Sequence, residues 1–230
     1  MNQLLQQLQN NPFTLLVSLP RNDVRLAEAA LGGGAQGLKV HINVEHFASG
    51  TRFGSLQEEQ ENIAHIVEVA RAHNAPVGVV PGGSPFATED DFQKLAQLGI
   101  DFFDAYPAEA PPWTLTQKHL DVMLAAYAGG SIHTMRALEL AGMQMCEASF
   151  MPHEEYGQEL TALDIGRYRE LAGALQGPII VPSQKKITPR DLPALQQSGV
   201  KGLLIGAIVT GREADTIEAA ARSFVTALQS

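Results

Sequence analysis

The regular alternation of short apolar runs with segments of helical periodicity constrains this chain more than any other feature. The apolar runs that we predict as strands are residues 13–20, 37–44, 75–80, 100–106, 120–127, 143–150, 178–182 and 200–208. Together with the helical segments between them, they divide the 230 residues into eight units of about 29 residues. The sequence therefore predicts an α/β fold, a single (β/α)8 barrel domain over residues 1–230. A doubly wound open sheet is the alternative that strand counting leaves open.

Two segments depart from this repeat. Near the amino terminus, an apolar stripe predicts a short helix across the bottom of the barrel, with a partner-binding helix as the alternative. The stripe consists of Leu4, Leu5 and Leu8. In the fourth unit, Pro107, Pro111 and Pro112 predict a helix that is short or missing, because proline lacks the N–H group that a helix needs.

Charge and composition exclude several classes of function. The chain has 16 Lys and Arg against 25 Asp and Glu, a net charge of −9, which argues against nucleic acid as a partner and leaves an anionic small ligand possible. It has one cysteine, no zinc-type spacing, no signal peptide and no apolar run long enough to cross a membrane. These features predict a cytoplasmic protein that does not bind membranes, and they are compatible with a homo-oligomer.

A glycine-rich segment imitates a nucleotide-binding motif. Residues 32–37 satisfy the spacing GxGxxG, which in dinucleotide-binding proteins follows a strand and opens a helix. Here the glycines follow a predicted helix and precede a predicted strand, so we interpret them as a helix end and a tight turn. No cofactor is expected from the sequence.

Period-two alternation sorts the residues of each predicted strand into a face that packs on helices and a face that lines the barrel. On the second strand the outer, apolar set is Leu38, Val40, Ile42 and Val44. The residues expected to point inward from the second, fourth and sixth strands are Lys39, His41, Asn43, Phe102, Asp104, Tyr106, Met145, Glu147 and Ser149. Burying so many polar groups is costly unless they are paired or functional.

Four of these inward residues form the candidate catalytic group, namely Lys39, His41, Asp104 and Glu147. Carboxylates and a lysine in a pocket of low dielectric have shifted pKa values, as proton abstraction next to a carbonyl requires. The alternative is a structural salt-bridge network that fills the barrel.

A metal site built from His41, His46, Asp104 and Glu147 is a weaker alternative, because no ligand spacing such as HxH supports it. We expect no metal. Cys146 should face the helices as a small buried hydrophobe. The remaining histidines are interpreted as surface residues, except His133, which is placed at the barrel mouth; they are His65, His73, His119 and His153.

The last two units carry the signal of an anion site. In (β/α)8 barrels the loops after the seventh and eighth strands commonly bind phosphate. The residues predicted to do so here are Ser183, Gln184, Lys185, Gly206, Ala207 and Arg212. Gly206 would let the backbone approach the anion, while Lys185 and Arg212 would add positive charge. A solvated loop with a packing glycine is the alternative interpretation.

At these residues the chain resembles the phosphate-binding TIM barrels. The segment GVKGLLIGAIVTG at residues 199–211 and the helix EAAARSF at 218–224 are most similar to the sugar-phosphate epimerases of the N-acetylmannosamine-6-phosphate epimerase type and to ribulose-phosphate-binding barrels. The resemblance is specific over roughly the last fifty residues. It implies a phosphorylated small-molecule substrate held around Ser183, Gln184, Gly206 and Ala207. The third strand, at residues 77–80, lacks the lysine of those epimerases, and the decarboxylase motif Asp-x-Lys-x-x-Asp is absent.

The connection after the second strand, residues 45–55, is long and has glycines on either side of Arg52. Such loops at the catalytic face often act as lids, so Arg52 is a candidate to clamp an anionic group. A variable surface loop is the alternative.

The leading hypothesis is an isomerase or epimerase that acts on a phosphorylated sugar or similar carbonyl compound by proton abstraction. Lys39 and Glu147 would move the proton, and His41 and Asp104 would orient or polarise the oxygens. An aldolase-type lyase with a Schiff base on Lys39 is one alternative. A non-catalytic barrel that binds a phosphorylated metabolite is the other.

Overall fold

The computed structural model describes residues 3–229, and eight parallel strands within them close into a barrel. The strands in chain order are β1 (Thr14–Ser18), β2 (Gly37–His41), β3 (Val44–His46), β4 (Thr51–Phe53), β5 (Val77–Val80), β6 (Phe102–Ala105), β7 (Asp121–Tyr127), β8 (Met145–Ser149), β9 (Ile179–Pro182) and β10 (Gly202–Ile205). Every strand except β3 and β4 belongs to the barrel, which β1 closes by pairing with both β2 and β10. The predicted (β/α)8 barrel is confirmed.

Helices alternate with the barrel strands. They are α1 (Gln3–Asn10), α2 (Val24–Gly32), α3 (Leu56–Ala72), α4 (Glu89–Leu98), α5 (Ile132–Ala141), α6 (Ala162–Ala174), α7 (Leu192–Ser198), α8 (Ala207–Thr210) and α9 (Ala214–Leu228). After β6 there is only a 3-10 turn, Pro112–Leu115. The prolines of this segment account for the reduced fourth helix, as predicted.

The helix α1 closes the bottom of the barrel, as its apolar stripe predicts. Leu4 and Leu8 are fully buried and pack against the inward side chains of six strands. Those side chains are Leu16, Phe102, Met123, Met145, Ile180 and Leu204. The backbone N–H of Leu4 donates to the carboxylate of Asp101 at 2.9 Å, which satisfies a free donor at the start of the helix. The lower half of the barrel is therefore a packed apolar plug.

The predicted pleat is confirmed for the inward residues of β2, β6 and β8. Leu38 and Val40 belong to the outer core beneath the helices, while Lys39 and His41 line a cavity inside the barrel. On β8, Met145 packs into the inner plug and Cys146 into the outer core. Burial raises the pKa of the Cys146 thiol to about 12, so this cysteine is a small buried hydrophobe, as expected.

The end of the second strand differs from the prediction. The strand stops at His41 rather than at residue 44, because Asn43 adopts a left-handed conformation with φ 54°. Asn43 does not line the barrel cavity, and its side-chain amide donates to the carbonyl of Pro81 at 3.4 Å. Val44 then begins an antiparallel hairpin with β4 instead of facing the helices. The predicted lid loop thus contains a two-stranded hairpin, which we call the mouth hairpin (residues 44–53).

Two further segments bear on the site. The eighth predicted strand ends at Ile205 rather than at residue 208, and residues 207–210 form the helical turn α8. On β5, a Cβ added to Gly78 would lie 2.1 Å from the ring of Phe102. The ring of Phe102 thus occupies the space next to Gly78 inside the barrel. The glycines of residues 32–37 form the turn between α2 and β2, as predicted.

Candidate functional site

A cavity of about 340 Å³ lies at the carboxyl ends of the barrel strands. Each of the eight barrel strands contributes to its wall, and the mouth hairpin covers one side. The strand residues that line it include Ser18, Lys39, Val80, Asp104, Ala125, Glu147, Pro182 and Leu204. The four predicted catalytic residues, Lys39, His41, Asp104 and Glu147, all line this cavity.

Three of the four form an ionic group at the base of the cavity, which we call the acid–base cluster (Lys39, Asp104 and Glu147). The Nζ atom of Lys39 lies 2.6 Å from Oδ2 of Asp104 and 2.6 Å from Oε1 of Glu147. All three side chains are buried. They come from the second, fourth and sixth strands of the barrel, and alternate strands place their inward side chains in one layer. The topology therefore brings together residues that are 65 and 108 positions apart.

Burial and mutual repulsion change the protonation of this cluster. Burial, followed by the nearby charge of Asp104, raises the pKa of Glu147 to about 8. Burial alone would lower the pKa of Lys39, but the charges of the two carboxylates outweigh it and raise that pKa above its ordinary value. Near neutral pH Lys39 is thus an ammonium, and Glu147 for the most part still holds its proton. Oδ1 of Asp104 has no hydrogen-bond partner.

His41 lies beside the cluster as a neutral imidazole. Its ring stacks on Phe53 and contacts His46, each with centroids 4.6 Å apart. Burial, followed by the repulsion of His46 and Lys39, lowers the pKa of His41 well below its ordinary value. Its Nε2 lies 3.5 Å from the hydroxyl of Ser18, whereas its Nδ1 is buried without a partner. The ring can therefore orient or polarise a ligand oxygen but does not bring a charge.

A second layer of polar groups lies nearer the mouth, and we call it the hydroxyl network (Tyr106, Ser149, Tyr156 and Gln184). The Gln184 amide nitrogen donates to the hydroxyl of Tyr156 at 2.6 Å and to that of Ser149 at 3.0 Å. The amide orientation is fixed, because its oxygen accepts the backbone N–H of Met151 at 3.1 Å. Tyr106 and Ser149 share a further hydrogen bond of 2.8 Å.

The predicted phosphate residues separate into two groups. Ser183, Gln184, Gly206 and Ala207 line the cavity, and the N–H of Gly206 donates to the Ser183 hydroxyl at 2.7 Å. Ser18 of β1 joins them, since its Cβ lies 3.6 Å from the position that a Cβ on Gly206 would occupy. We call Ser18, Ser183, Gly206 and Ala207 the strand-end pocket.

The two predicted cations of this site lie elsewhere. Lys185 is buried outside the cavity, with Nζ 2.6 Å from Glu155 and 3.8 Å from Asp164. Arg212 is exposed and does not line the cavity, and the same holds for Arg52 on β4. Lys185, Arg212 and Arg52 thus lie outside the lining of this cavity, and their roles in an anion site and a lid stay predictions. The chain turns directly after Pro182, so strand alternation does not extend to Lys185.

An aromatic contact at the mouth was missed in the sequence. Phe47, at the tip of the mouth hairpin, stacks on His153 with centroids 4.2 Å apart and planes within 6°. Tyr156 packs edge-on against both rings. His153, expected to be a surface residue, is exposed but lines the cavity rim. No sequence pattern indicated this contact, because it joins two loops that are about a hundred residues apart.

The residues described, 3–229, contain no group of three or more His, Cys, Asp or Glu side chains arranged to hold a metal ion. Between Asp104 and Glu147, two of the candidate ligands, lies the ammonium of Lys39. None of the helices in the same range is long and apolar enough to cross a membrane.

Comparison with known proteins identifies the fold. The chain is similar to thiamine phosphate pyrophosphorylase from Pyrococcus furiosus, with a TM-score of 0.70, 13% identity, and coverage of 95% of this chain and 96% of that one. It is also similar to tryptophan synthase from Mycobacterium tuberculosis, with a TM-score of 0.71, 15% identity, and coverage of 98% of this chain and 96% of that one. A third similar structure, a native structure of KDPGal, has a TM-score of 0.66 and 14% identity, and the match covers 94% of each chain. At these identities the likeness defines the class, a (β/α)8 TIM barrel. No family model and no curated protein matches the sequence.

Proposed function

We propose that this barrel is an isomerase or epimerase that moves a proton at the carbon next to the carbonyl of a small, sugar-like compound. What carries the proposal is the acid–base cluster, in which Glu147, a buried carboxyl with a pKa of about 8, shares the ammonium of Lys39 with Asp104 and faces a cavity. General acid–base catalysis is most efficient when the pKa of the catalytic group lies near the working pH.

The proton transfer begins from the carboxylate form of Glu147, which a pKa of about 8 leaves partly populated near neutral pH. Glu147, in its carboxylate form, takes the proton from the carbon next to the carbonyl, and the electron pair of the broken C–H bond moves into an enolate. The ammonium of Lys39 donates a hydrogen bond to the enolate oxygen where negative charge develops. In isomerisation, the proton of the hydroxyl on the carbon that lost its hydrogen passes to the enolate oxygen. The carboxyl of Glu147 returns its proton to the former carbonyl carbon, and the new carbonyl forms where the hydroxyl was. In epimerisation, the proton comes back to the opposite face of the same carbon, which requires a second donor such as a hydroxyl of the hydroxyl network.

Asp104 and His41 have supporting roles in this scheme. Asp104 keeps Lys39 protonated and raises the pKa of Glu147, so it sets the protonation of the other two. His41, a neutral ring that lines the cavity, orients an oxygen of the substrate. The strand-end pocket holds the part of the substrate that does not react.

An aldolase-type lyase fits the cluster less well. A Schiff base forms on a neutral amine, whereas two carboxylates at 2.6 Å hold Lys39 as an ammonium. Borohydride reduction in the presence of candidate ketoses, read by mass spectrometry, separates the two reactions. A covalent adduct on Lys39 would favour the lyase.

The test of the proposal is hydrogen exchange from solvent. Wild-type protein and the Glu147→Gln variant are incubated with a panel of aldoses, ketoses and their phosphate esters in D2O and followed by NMR. We expect deuterium at the carbon next to the carbonyl with the wild type and loss of exchange in the variant. Ligand binding without exchange at any carbon would instead favour a non-catalytic binding barrel.

A further inference from the structure

We infer that the substrate of this cavity is an uncharged, polyhydroxylated carbonyl compound rather than a phosphate ester. The inference rests on the proposed function, because it concerns the same site, and it departs from the phosphorylated substrate that the resemblance implies. Three features support the inference. They are the charges around the cavity, the chemistry of the strand-end pocket, and the donors and acceptors of the hydrogen bonds in the hydroxyl network.

The charged groups that line the cavity are mostly carboxylates. They are Lys39, Glu45, Asp104, Glu109 and Glu147. The only ammonium among these lining residues is already paired with two carboxylates at 2.6 Å. Glu45 and Glu109 are exposed at the rim, where they meet any ligand that enters. A phosphate dianion would pass these carboxylates and find no free positive charge on the walls.

Three cationic side chains near the site, Lys185, Arg52 and Arg212, do not line the cavity. Lys185 is held by Glu155 and Asp164 outside the cavity. Arg52 lies opposite Glu45 in the mouth hairpin and is exposed. Arg212 is exposed as well. Each of these side chains is therefore either committed to carboxylates or surrounded by solvent.

The strand-end pocket offers uncharged groups that suit hydroxyls. The hydroxyls of Ser18 and Ser183 can both donate and accept, as a sugar hydroxyl does. The N–H of Gly206 is already bonded to the Ser183 hydroxyl at 2.7 Å, which leaves that hydroxyl free to donate its proton to a ligand oxygen. Phosphate oxygens only accept hydrogen bonds, whereas this pocket provides acceptors too.

The hydroxyl network also favours a polyhydroxylated ligand. Because the amide of Gln184 is fixed by the N–H of Met151, its nitrogen must donate to Tyr156 and to Ser149. Both hydroxyls thus accept from Gln184, and that of Ser149 also shares a hydrogen bond with Tyr106. Burial raises the pKa of the Tyr156 phenol, so this residue stays a neutral donor. Fixed neutral donors and acceptors on several walls are what a polyhydroxylated ligand requires.

The experiment compares free sugars with their own phosphate esters. Binding of D-fructose, fructose 6-phosphate, D-xylulose, xylulose 5-phosphate and inorganic phosphate to the full chain is measured by ligand-observed NMR and thermal shift. We expect at least one free ketose to bind at least tenfold more tightly than its ester, with no displacement by inorganic phosphate. A panel in which no free ketose binds more tightly than its ester would overturn the inference.

Matched tyrosine variants test the contribution of the hydroxyl network. Tyr156→Phe is expected to weaken binding of the free ketose by roughly 3- to 10-fold. Tyr127→Phe, which removes a phenol outside this cavity, should bind like the wild type. Equal affinity of the Tyr156→Phe variant and the wild type would count against a hydroxyl-reading site.

The same samples separate this inference from the proposed function. A free ketose that binds preferentially but exchanges no hydrogen would refute the isomerase and leave the substrate class standing. A phosphate ester that binds preferentially and exchanges hydrogen through Glu147 would refute the inferred substrate class and leave the isomerase standing.

Discussion

Two buried lysines in this barrel have similar partners and different surroundings. Lys39 lies inside the barrel between Asp104 and Glu147, both nearly as buried as the lysine itself. Lys185 lies outside the barrel wall with Glu155 at 2.6 Å and Asp164 at 3.8 Å, and the Glu155 side chain is 33% exposed. We call this second group the outer lysine cluster.

The different surroundings of the two lysines show that a buried ion pair can serve either structure or chemistry. In the outer lysine cluster, Asp164 also accepts hydrogen bonds from Thr161 at the start of α6, so the cluster fastens a loop to a helix. In the acid–base cluster, two acidic side chains share one ammonium and face a cavity, and the pKa of Glu147 rises to about 8. Both clusters have two acidic side chains for one lysine. The open cavity and the raised pKa therefore separate the candidate catalytic group from the structural one.

The largest expected effect comes from breaking the acid–base cluster without changing its shape. Glu147→Gln should lower the rate of solvent hydrogen exchange into the substrate by about 10²–10⁴, because the amide cannot accept the proton. Binding of the ligand should stay within a few-fold of the wild type. The rate is measured by NMR in D2O, and affinity by titration on the same samples.

The matched control is Glu155→Gln, which makes the same change in the outer lysine cluster. We expect an unchanged exchange rate in this variant. If affinity collapsed together with the rate in Glu147→Gln, Glu147 would be a ligand-binding group. If neither changed, both clusters would be structural.

The second effect is on stability and compares the two lysines directly. Lys39→Met leaves Asp104 and Glu147 facing each other without a cation and should cost about 3–5 kcal/mol of unfolding free energy. Lys185→Met should cost less, about 1–3 kcal/mol, because Glu155 can turn into solvent. Urea denaturation of both variants measures the difference. Equal losses would show that the exposure of Glu155 does not matter.

The acid–base cluster could be predicted from the sequence because strand alternation determines it. Each of Lys39, Asp104 and Glu147 lies within a regular strand, with outward apolar neighbours that fix the pleat. A closed barrel then brings residues of alternate strands into one layer. That pattern does not predict the distances from Lys39 to the two carboxyl groups, nor does it predict which carboxyl group keeps its proton. Both depend on how deeply the side chains are buried.

The structure and the sequence pattern differ where the chain leaves regular strands. Asn43 turns with a positive φ, so the pattern that placed Lys39 and His41 inward stops two residues before Val44. Lys185 comes after the turn that follows Pro182, and its direction is set by the carboxylates of a neighbouring loop and helix. The contact between Phe47 and His153 depends on how two loops meet, which no local periodicity encodes.

The third effect concerns pH and separates Glu147 from the neighbouring histidines. Its pKa is raised from 4.5 to about 8 in the folded protein, so the folded state holds a proton that the unfolded chain has lost. Stability should therefore fall as pH rises through this interval. His41 and His46 act oppositely, since burial lowers their pKa values below 6.5, to about 4 for His46. Because the unfolded chain binds protons at these two histidines more readily, the free energy of unfolding falls as the pH drops below about 6.5.

As the pH rises from 6.5 to 8, the unfolded histidines lose their remaining charge, which adds a smaller, opposite contribution to that of Glu147. We expect the free energy of unfolding to fall by about 1 kcal/mol across this range. In Glu147→Gln the decline should disappear, whereas in Glu155→Gln it should persist. Urea melts at several pH values measure it. A wild-type profile that is flat or rising between pH 6.5 and 8 would contradict the raised pKa.

The smallest effect belongs to the exposed partner of the outer lysine cluster. Although Glu155 lies as close to Lys185 as the buried carboxylates lie to Lys39, one third of its side chain contacts water. Solvent therefore screens the pair, and the amide oxygen of Glu155→Gln can still accept a hydrogen bond from Lys185. We expect a loss of only about 0.5–1 kcal/mol in urea denaturation, with a smaller difference from the wild type at high salt. A loss as large as that of Lys39→Met would mean that distance, rather than burial of both partners, sets the strength of these two clusters.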